Sequence, residues 1–596
     1  MSGGSIRLAS GPLSAVLSDG DLFDVRWHGV ETVQRLYVAV RDVAWNTIPA
    51  HLSSPVVRAS GDGITAEFHA RHRYREMDFR WRALVHLSER GLLTFEMDGA
   101  ALQSFEYCKI GFNVHHGIAA HAGRPFRCRT LSGTHLGTFA ADLAPQLVRD
   151  GTLTAMTPHF DRLEISLDGA ELVFDFAGDR FEMQDHRNWA DGNWKTYGTP
   201  LEAGFPHSAE AGMRIHQIIR LQIAGGIGSP RDIASPAGAA TPASAVNRLR
   251  WHRSVDGGLP AIGHLLREIP SPTQCQQLAR LHPSHIRVDL HVTDDYRRVW
   301  REAVSVADEL STALEVAMFL RHESPADDAR QLCDVLSEGL APLARVLVFT
   351  ESSGFSPFRG ACPPQFGGAV QAALAECGLA AVPVVSGTTQ FFVDINRDRP
   401  DYSGLSGIVF AVNPQVHACD TSSMMRSPRA LIDIADFCRQ LYPGLNICLS
   451  PLDLIGNEGP FPAGPLSADG TPPQVDPRLH TDIGAAWTLA ALSALVAGNV
   501  SAITLFELVG SRGLVGGSPA VSPVYTLLSR IATMDLPVRQ LAADDPDRLA
   551  GIGFASDTGS IVVIANLTDE ETATELPDGS PLTLDAYETR WITLTG

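Results

Sequence analysis

The sequence is short of positive charge: 47 Lys and Arg stand against 67 Asp and Glu, a formal charge of −20. A nucleic-acid binder needs a basic surface to meet phosphates, so that class is excluded. An acidic surface also suits an anionic membrane poorly as a partner. Long hydrophobic runs are missing as well. The longest, Ala485 to Ala497, is too short to span a bilayer and is interrupted by Thr488 and Ser493. The opening Met1-Ser-Gly-Gly-Ser-Ile-Arg has no charged-then-apolar signal pattern. Nine cysteines are scattered without a CxxC pair, which reads as reduced thiols in a cytosol. No HExxH spacing, no G-x-S-x-G elbow and no Walker or dinucleotide loop occurs. A cytoplasmic protein with no metal and no cofactor is therefore expected.

What is present has ordinary globular composition, 44% hydrophobic and 19% charged. A chain of 596 residues exceeds one hydrophobic core and predicts two to four domains. Residues 1–225 read as a β-sandwich. Runs such as Leu36-Tyr-Val-Ala-Val and Ile64-Thr-Ala-Glu-Phe-His-Ala alternate apolar and polar side chains, as half-buried antiparallel strands do. Residues 226–255, rich in Gly, Ala, Ser and Pro, read as a linker. Residues 536–596 return to strands and predict a small C-terminal β-domain.

Between them, residues 256–535 alternate short apolar runs with helical patterns, eight times over. The runs begin near Leu259, His285, Leu314, Arg345, Val382, Gly407, Leu445 and Ala502. Amphipathic helices are predicted over Tyr296 to Leu310, after an N-cap at Ser324, and over Ser427 to Leu441. Buried parallel strands with crossover helices, repeated eight times, predict a (β/α)8 barrel. A doubly wound sheet competes, but eight units exceed most open sheets and no Gly-rich loop follows the first strand. The segment Asn396 to Ser406 is too short and Pro-rich for a good helix.

Catalytic groups of such barrels stand at the C-terminal ends of the strands. Those ends carry His264, Asp289, His291, Glu351, Asn413, His417, Asp420, Asp453 and Glu507. Glu351, Glu507 and His417 are the catalytic candidates. A carboxylate that follows an apolar run is costly unless it faces a polar opening, and an imidazole transfers protons near neutral pH. Asn413, Asp289, His291 and Asp453 are expected to bind substrate. Asp289 and His291 lie two apart on one strand and share a face, but no further ligand spacing supports a metal.

The first region holds an unusual stretch, Phe181-Glu-Met-Gln-Asp-His-Arg-Asn-Trp-Ala-Asp-Gly-Asn-Trp-Lys-Thr-Tyr-Gly-Thr-Pro200. It sets Glu182, Asp185, Arg187, Asp191 and Lys195 among Trp189, Trp194 and Tyr197. Flat aromatic faces beside charged hydrogen-bonding groups suit sugar rings, so Glu182, Asp185, Arg187, Trp189, Trp194, Lys195 and Tyr197 join the substrate-binding candidates. The alternative is a loop that docks one domain on another.

Glu182-Met-Gln-Asp-His-Arg-Asn-Trp189, with Lys195-Thr-Tyr197 and Thr199-Pro-Leu201, resembles the D-apionate lactonase family. It departs from that pattern at His186 and at Gly192-Asn193. The resemblance implies an N-terminal β-domain, a TIM barrel and a C-terminal β-domain, and hydrolysis of a sugar-acid lactone such as D-apionolactone. Two other readings stand beside it: a glycoside hydrolase with paired carboxylates at the barrel mouth, and a non-catalytic carbohydrate-binding protein. The expected partner is a small sugar, sugar acid or glycoside, with a homo-oligomer left open.

Overall fold

The computed structural model describes residues 5–226, 247–252, 258–338, 341–352, 355–456, 475–516, 521–556 and 559–594. They form two compact units. The first holds 5–187 and 192–226; the second holds 188–191 and the described residues from 247 onward.

Alternation of apolar and polar residues makes the first unit a β-sandwich. One antiparallel sheet has seven strands, with Val30–Arg41, Lys109–Gly117, Asn193–Tyr197 and Glu182–Asp185 adjacent in that order. The other has ten strands, centred on Arg214–Gly225, Leu92–Ala101 and Met77–Ser88. Facing side chains meet between the sheets. Phe112 lies edge-on to Phe95 at 4.9 Å, and Trp194 to Phe139 at 5.2 Å.

In the second unit all eight expected runs form parallel strands: Ala261–Leu265, His285–His291, Ala313–Leu320, Leu343–Thr350, Val384–Gly387, Gly407–Val412, Asn446–Leu452 and Ala502–Val509. The eighth pairs with the first, which closes the barrel and rules out the doubly wound sheet. The helix Tyr296–Leu310 is capped by Asp295 and buries Trp300, Val306 and Leu310. Ser324 precedes the helix Pro325–Leu336 without capping it through its side chain; its hydroxyl donates to Asp328 instead. After the fifth strand a short helix, Phe392–Asp398, begins upstream of the Pro-rich stretch and supplies the crossover.

The linker expected over 226–255 is corrected in part. Asn247–Trp251 is a strand of the C-terminal β-domain, pairing with Val538–Ala543 and Thr572–Glu575. Its alternating Leu249 and Trp251 pack into that domain's core. Residues 227–246 and 253–257 lie outside the described residues. The apolar helix Asp482–Ala497 is buried nearly all round, and its Ser493 hydroxyl donates to the Gly551 carbonyl of that same domain. No described helix is long and apolar enough to cross a membrane. The cysteines are free thiols, and all but Cys377 and Cys419 are buried.

The barrel interior is only partly apolar. Ala317, Leu347, Val385, Val409, Cys448 and Ala502 pack together there. Beside them Glu315 is buried as an anion. It accepts from Ser450 Oγ and Thr504 Oγ1, each at 2.6 Å, and from Arg345 Nη1 at 2.6 Å, with His285 Nε2 at 3.4 Å. Gly263 on the first strand makes room for this cluster, because a Cβ there would stand 2.3 Å from the His285 ring. Burial alone would raise the Glu315 pKa, but His285, Arg345 and the two hydroxyls outweigh it and lower it to about 2.

Removing one partner of a buried ion pair strands the other. Glu315→Gln is expected to destabilise the second unit by about 3–5 kcal/mol, read from the urea midpoint. Because the folded pKa lies below the ordinary 4.5, the wild-type protein holds this contribution above that pH. It loses the contribution as pH falls toward about 2, a component that Glu315→Gln lacks.

Candidate functional site

The C-terminal ends of the barrel strands carry three groups of polar side chains. In the first, His291 ends the second strand and its Nδ1 stands 2.9 Å from Glu351 Oε2, just past the fourth strand. The imidazole stacks on Phe319 at 4.0 Å, so its plane is set by the third strand. Both side chains remain about a quarter exposed, at 25% each.

In the second group Arg512 joins Asp453 and Glu507. Its Nη2 stands 2.5 Å from Asp453 Oδ2, and its Nε stands 3.0 Å from Glu507 Oε1. Arg512 also donates to the Ile455 carbonyl. Glu507 reaches this position through an irregularity. Phe506 lies at φ 57°, a strained conformation for a bulky residue. The strand there shifts register, with Gly263 opposite Thr504 but Leu265 opposite Glu507. One extra residue therefore places Glu507 on the same face as Thr504. Burial raises the Asp453 pKa to about 6; Arg512 opposes the rise and Glu507 adds to it.

The third group forms in the loop after the sixth strand. His417 Nδ1 lies 2.6 Å from Asp191 Oδ2, with both side chains largely buried. Trp189 stands edge-on to the His417 ring at 5.3 Å and packs with Phe391, Val393 and Val416. Asn188 Oδ1 accepts from Asn396 Nδ2 at 2.9 Å. Residues 188–191 thus belong with the loops after the fifth and sixth strands. Asn413 is buried, its Oδ1 accepting from the Gln415 amide at 3.1 Å, which leaves its amide hydrogens as the donor end.

Several expected residues have other work. Asp289 is buried between Arg287 and Arg267 at 2.8 and 3.1 Å. Burial would raise its pKa, but the two guanidinium groups hold it below the usual range. His264 donates from Nδ1 to the Leu505 carbonyl at 2.6 Å, and burial pushes its pKa to about 4. Asp420 caps the helix Thr421–Arg426.

In the first unit, Asp185, Arg187 and Trp194 are engaged with the sandwich itself, which corrects their expected place at a sugar site. Arg187 pairs with Asp185 at 2.7 Å, donates to the carbonyls of Ala140 and Ala141, and lies 4.3 Å over the Trp194 ring. All three are almost fully buried, so their hydrogen-bonding and stacking faces are used by the fold. Glu182, Lys195 and Tyr197 instead share the opposite face of their sheet. Direct pairing sets Arg35, His115, Lys195 and Gln184 in one cross-strand row, and Tyr37, Asn113, Tyr197 and Glu182 in the next.

Three residues escaped the sequence reading. Arg512 sits in a loop with no pattern to mark it. Asp191 was visible among the charges of its segment, but its partner lies 226 residues away. His115 belongs to Lys109-Ile-Gly-Phe-Asn-Val-His115, whose alternation reads equally well as an ordinary solvent-facing strand.

A β-sandwich, a closed (β/α)8 barrel with carboxylates and imidazoles at its strand ends and a C-terminal β-domain define the class: a multidomain TIM-barrel protein. The comparisons are specific. Sequence profiles of the D-apionate lactonase N-terminal domain, TIM barrel domain and C-terminal immunoglobulin-like domain match residues 3–226, 267–535 and 546–592. The chain belongs to the D-apionate lactonase family. A D-apionate lactonase of Brucella anthropi is 25% identical over 98% of this chain and 95% of its own length. Membership supports a lactonase-like, carbohydrate-directed hydrolase role.

Among solved structures, a β-arabinopyranosidase is 10% identical, covering 99% of this chain and 98% of its own, at a TM-score of 0.30. A glycoside hydrolase family 30 xylanase from Clostridium acetobutylicum is 11% identical, covering 56% and 88%, at 0.38. A GalM/aldose epimerase homologue from C. elegans is 10% identical, covering 37% and 99%, at 0.26. Likenesses this low carry no functional weight.

Arg512 is the group that restrains the Asp453 pKa. Arg512→Met is expected to move the Asp453 titration upward from about 6, measured by carboxyl 13C NMR.

Proposed function

We propose that the chain hydrolyses the ring ester of a sugar acid, a lactone of the D-apionolactone type, at the mouth of its barrel. The observation that carries this is the Asp191–His417 pair at 2.6 Å, beside the sixth strand of a member of a lactonase family. A carboxylate held against one ring nitrogen orients an imidazole and stabilises its protonated form.

The chemistry runs in two steps. His417 takes a proton from water as the water oxygen bonds to the lactone carbonyl carbon. The oxyanion that forms is stabilised by the amide hydrogens of Asn413. Collapse of that intermediate breaks the ring C–O bond, and the departing alkoxide recovers the proton from His417. The sum is one lactone and one water giving one hydroxy acid. Trp189 supplies an apolar face beside the imidazole for the substrate's CH groups.

A second reading has its own support. Burial raises the Asp453 pKa to about 6, and this carboxyl group shares Arg512 with Glu507; a carboxyl disposed to hold its proton beside a second carboxyl suits glycoside cleavage. Glu351 takes His291 as its partner instead, so the pair favoured here is Asp453 with Glu507.

A pH-stat screen of sugar-acid lactones, run beside aryl and natural glycosides, separates the readings. Lactone turnover is expected, and His417→Asn and Asp191→Asn should each lower kcat by about 10²–10⁴ with little change in folding. Turnover of glycosides alone would sink the lactonase reading. In that case Asp453 would act as the acid, and kcat would fall as pH rises above about 6 and the carboxyl loses its proton.

A further inference from the structure

The lactone hydrolysis proposed above leaves one edge of the sandwich in the first unit unused. The ten-stranded sheet ends at Gly133–Thr138, whose neighbour among the described residues is Pro125–Thr130. The backbone pattern shows which groups of this last strand are open. Phe139 continues the ladder, its amide donating to the Arg124 carbonyl at 3.0 Å. Bonded pairs alternate in an antiparallel ladder, so Gly133, His135 and Gly137 also turn their N–H and C=O inward. Thr134, Leu136 and Thr138 therefore turn theirs away from the sheet, and no described residue pairs with them there.

An open edge is a template for another strand, and folded proteins ordinarily blunt it with charge, proline or short length. The far side of the same sheet follows that rule. Ala50–Leu52 has 3 residues and lies between Pro49 and Pro55, and Val56–Ser60 carries Arg58. The edge Gly133-Thr-His-Leu-Gly-Thr138 has neither charge nor proline, and Leu136 stands 71% exposed in it. Leu131, in the turn that leads into it, is 78% exposed.

The order of residues says which strand would fit. Thr134 and Thr138 lie two places to either side of Leu136, and one place out bulky His135 is matched by Gly137. Antiparallel pairing of two copies about Leu136 thus sets Thr134 opposite Thr138 and His135 opposite Gly137, twice over. In that register the outward N–H and C=O groups of Thr134, Leu136 and Thr138 meet as bonded pairs. Charge agrees. The chain carries −20 overall, which sets two copies against each other. Beside this edge, however, Arg127 lies 3.6 Å from Glu164 and Arg129 lies 2.7 Å from Asp161, so the adjoining strands are locally neutral.

We propose that Gly133–Thr138 pairs antiparallel with the same strand of a second copy, on a two-fold axis through Leu136, joining two ten-stranded sheets into one. A strand of 6 residues on each side is a small contact, so the dimer is reversible and forms in the micromolar range. The pairing does not depend on hydrolysis at the Asp191–His417 pair.

Sedimentation velocity of the full chain from about 1 to 100 µM is expected to show a monomer–dimer equilibrium. Leu136→Lys places two ammonium groups across the axis and should raise the dimer Kd at least about tenfold. Leu136→Pro removes an N–H that points away from the sheet and should do the same. In the wild-type protein, hydrogen exchange of peptides covering 133–138, read by mass spectrometry, should slow several-fold from the dilute to the concentrated end. That measurement needs no variant to fold.

A chain that stays monomeric throughout that range would overturn the proposal. So would an unchanged Kd in folded Leu136→Lys, or exchange over 133–138 that is the same at both ends, since the copies would then meet elsewhere.

Discussion

Glu315 holds the barrel together from within. A single buried carboxylate on the third strand accepts from side chains of the fourth, seventh and eighth strands and lies beside His285 of the second. Five strands are thereby referenced to one atom pair. An isolated anion could not remain there, because its desolvation cost would outweigh any single contact. Its neighbours must therefore be positioned together or not at all, and the glycine at 263 is part of that arrangement. Above this layer Arg287 continues the network, donating to Ser450 and Asp289. The strand ends that carry the mouth are thus set on a framework that is ionic as well as apolar.

The mouth inherits its geometry from that framework. His291 and Asp289 stand on one strand two positions apart, yet their chemistry diverges. Asp289 is neutralised by two arginines inside, while His291, one layer further out, meets Glu351 at a partly exposed position. Arg512 bonds Asp453 through Nη2 and Glu507 through Nε. His417 depends on the short segment 188–191 for its carboxylate. The three groups differ in burial and in the partners that hold them.

Much of the fold was legible because it rests on periodicity. The eight apolar runs of residues 256–535 are buried on both faces, so their composition marks them as parallel strands whatever their neighbours are. The resemblance in the 182–201 stretch likewise rests on local sequence. The failures have physical reasons too. The strand Asn247–Trp251 was hidden because only two of its residues point into a core, in a context rich in small residues. Asp185, Arg187 and Trp194 look like a sugar site in sequence, since the groups that grip a ligand are also those that tie down a buried loop.

The sequence by itself determined the layered architecture and the types of residue at the strand ends, because burial and period act over a few neighbouring positions. Only the tertiary structure decided which of those residues meet. Asp191 reaches His417 across 226 positions, and Arg512 gathers two carboxylates from different strands. Glu507 faces Arg512 through one extra residue beside a strained Phe506. Contacts of that kind depend on chain closure and on a local break in alternation, and neither leaves a periodic trace in the order of amino acids.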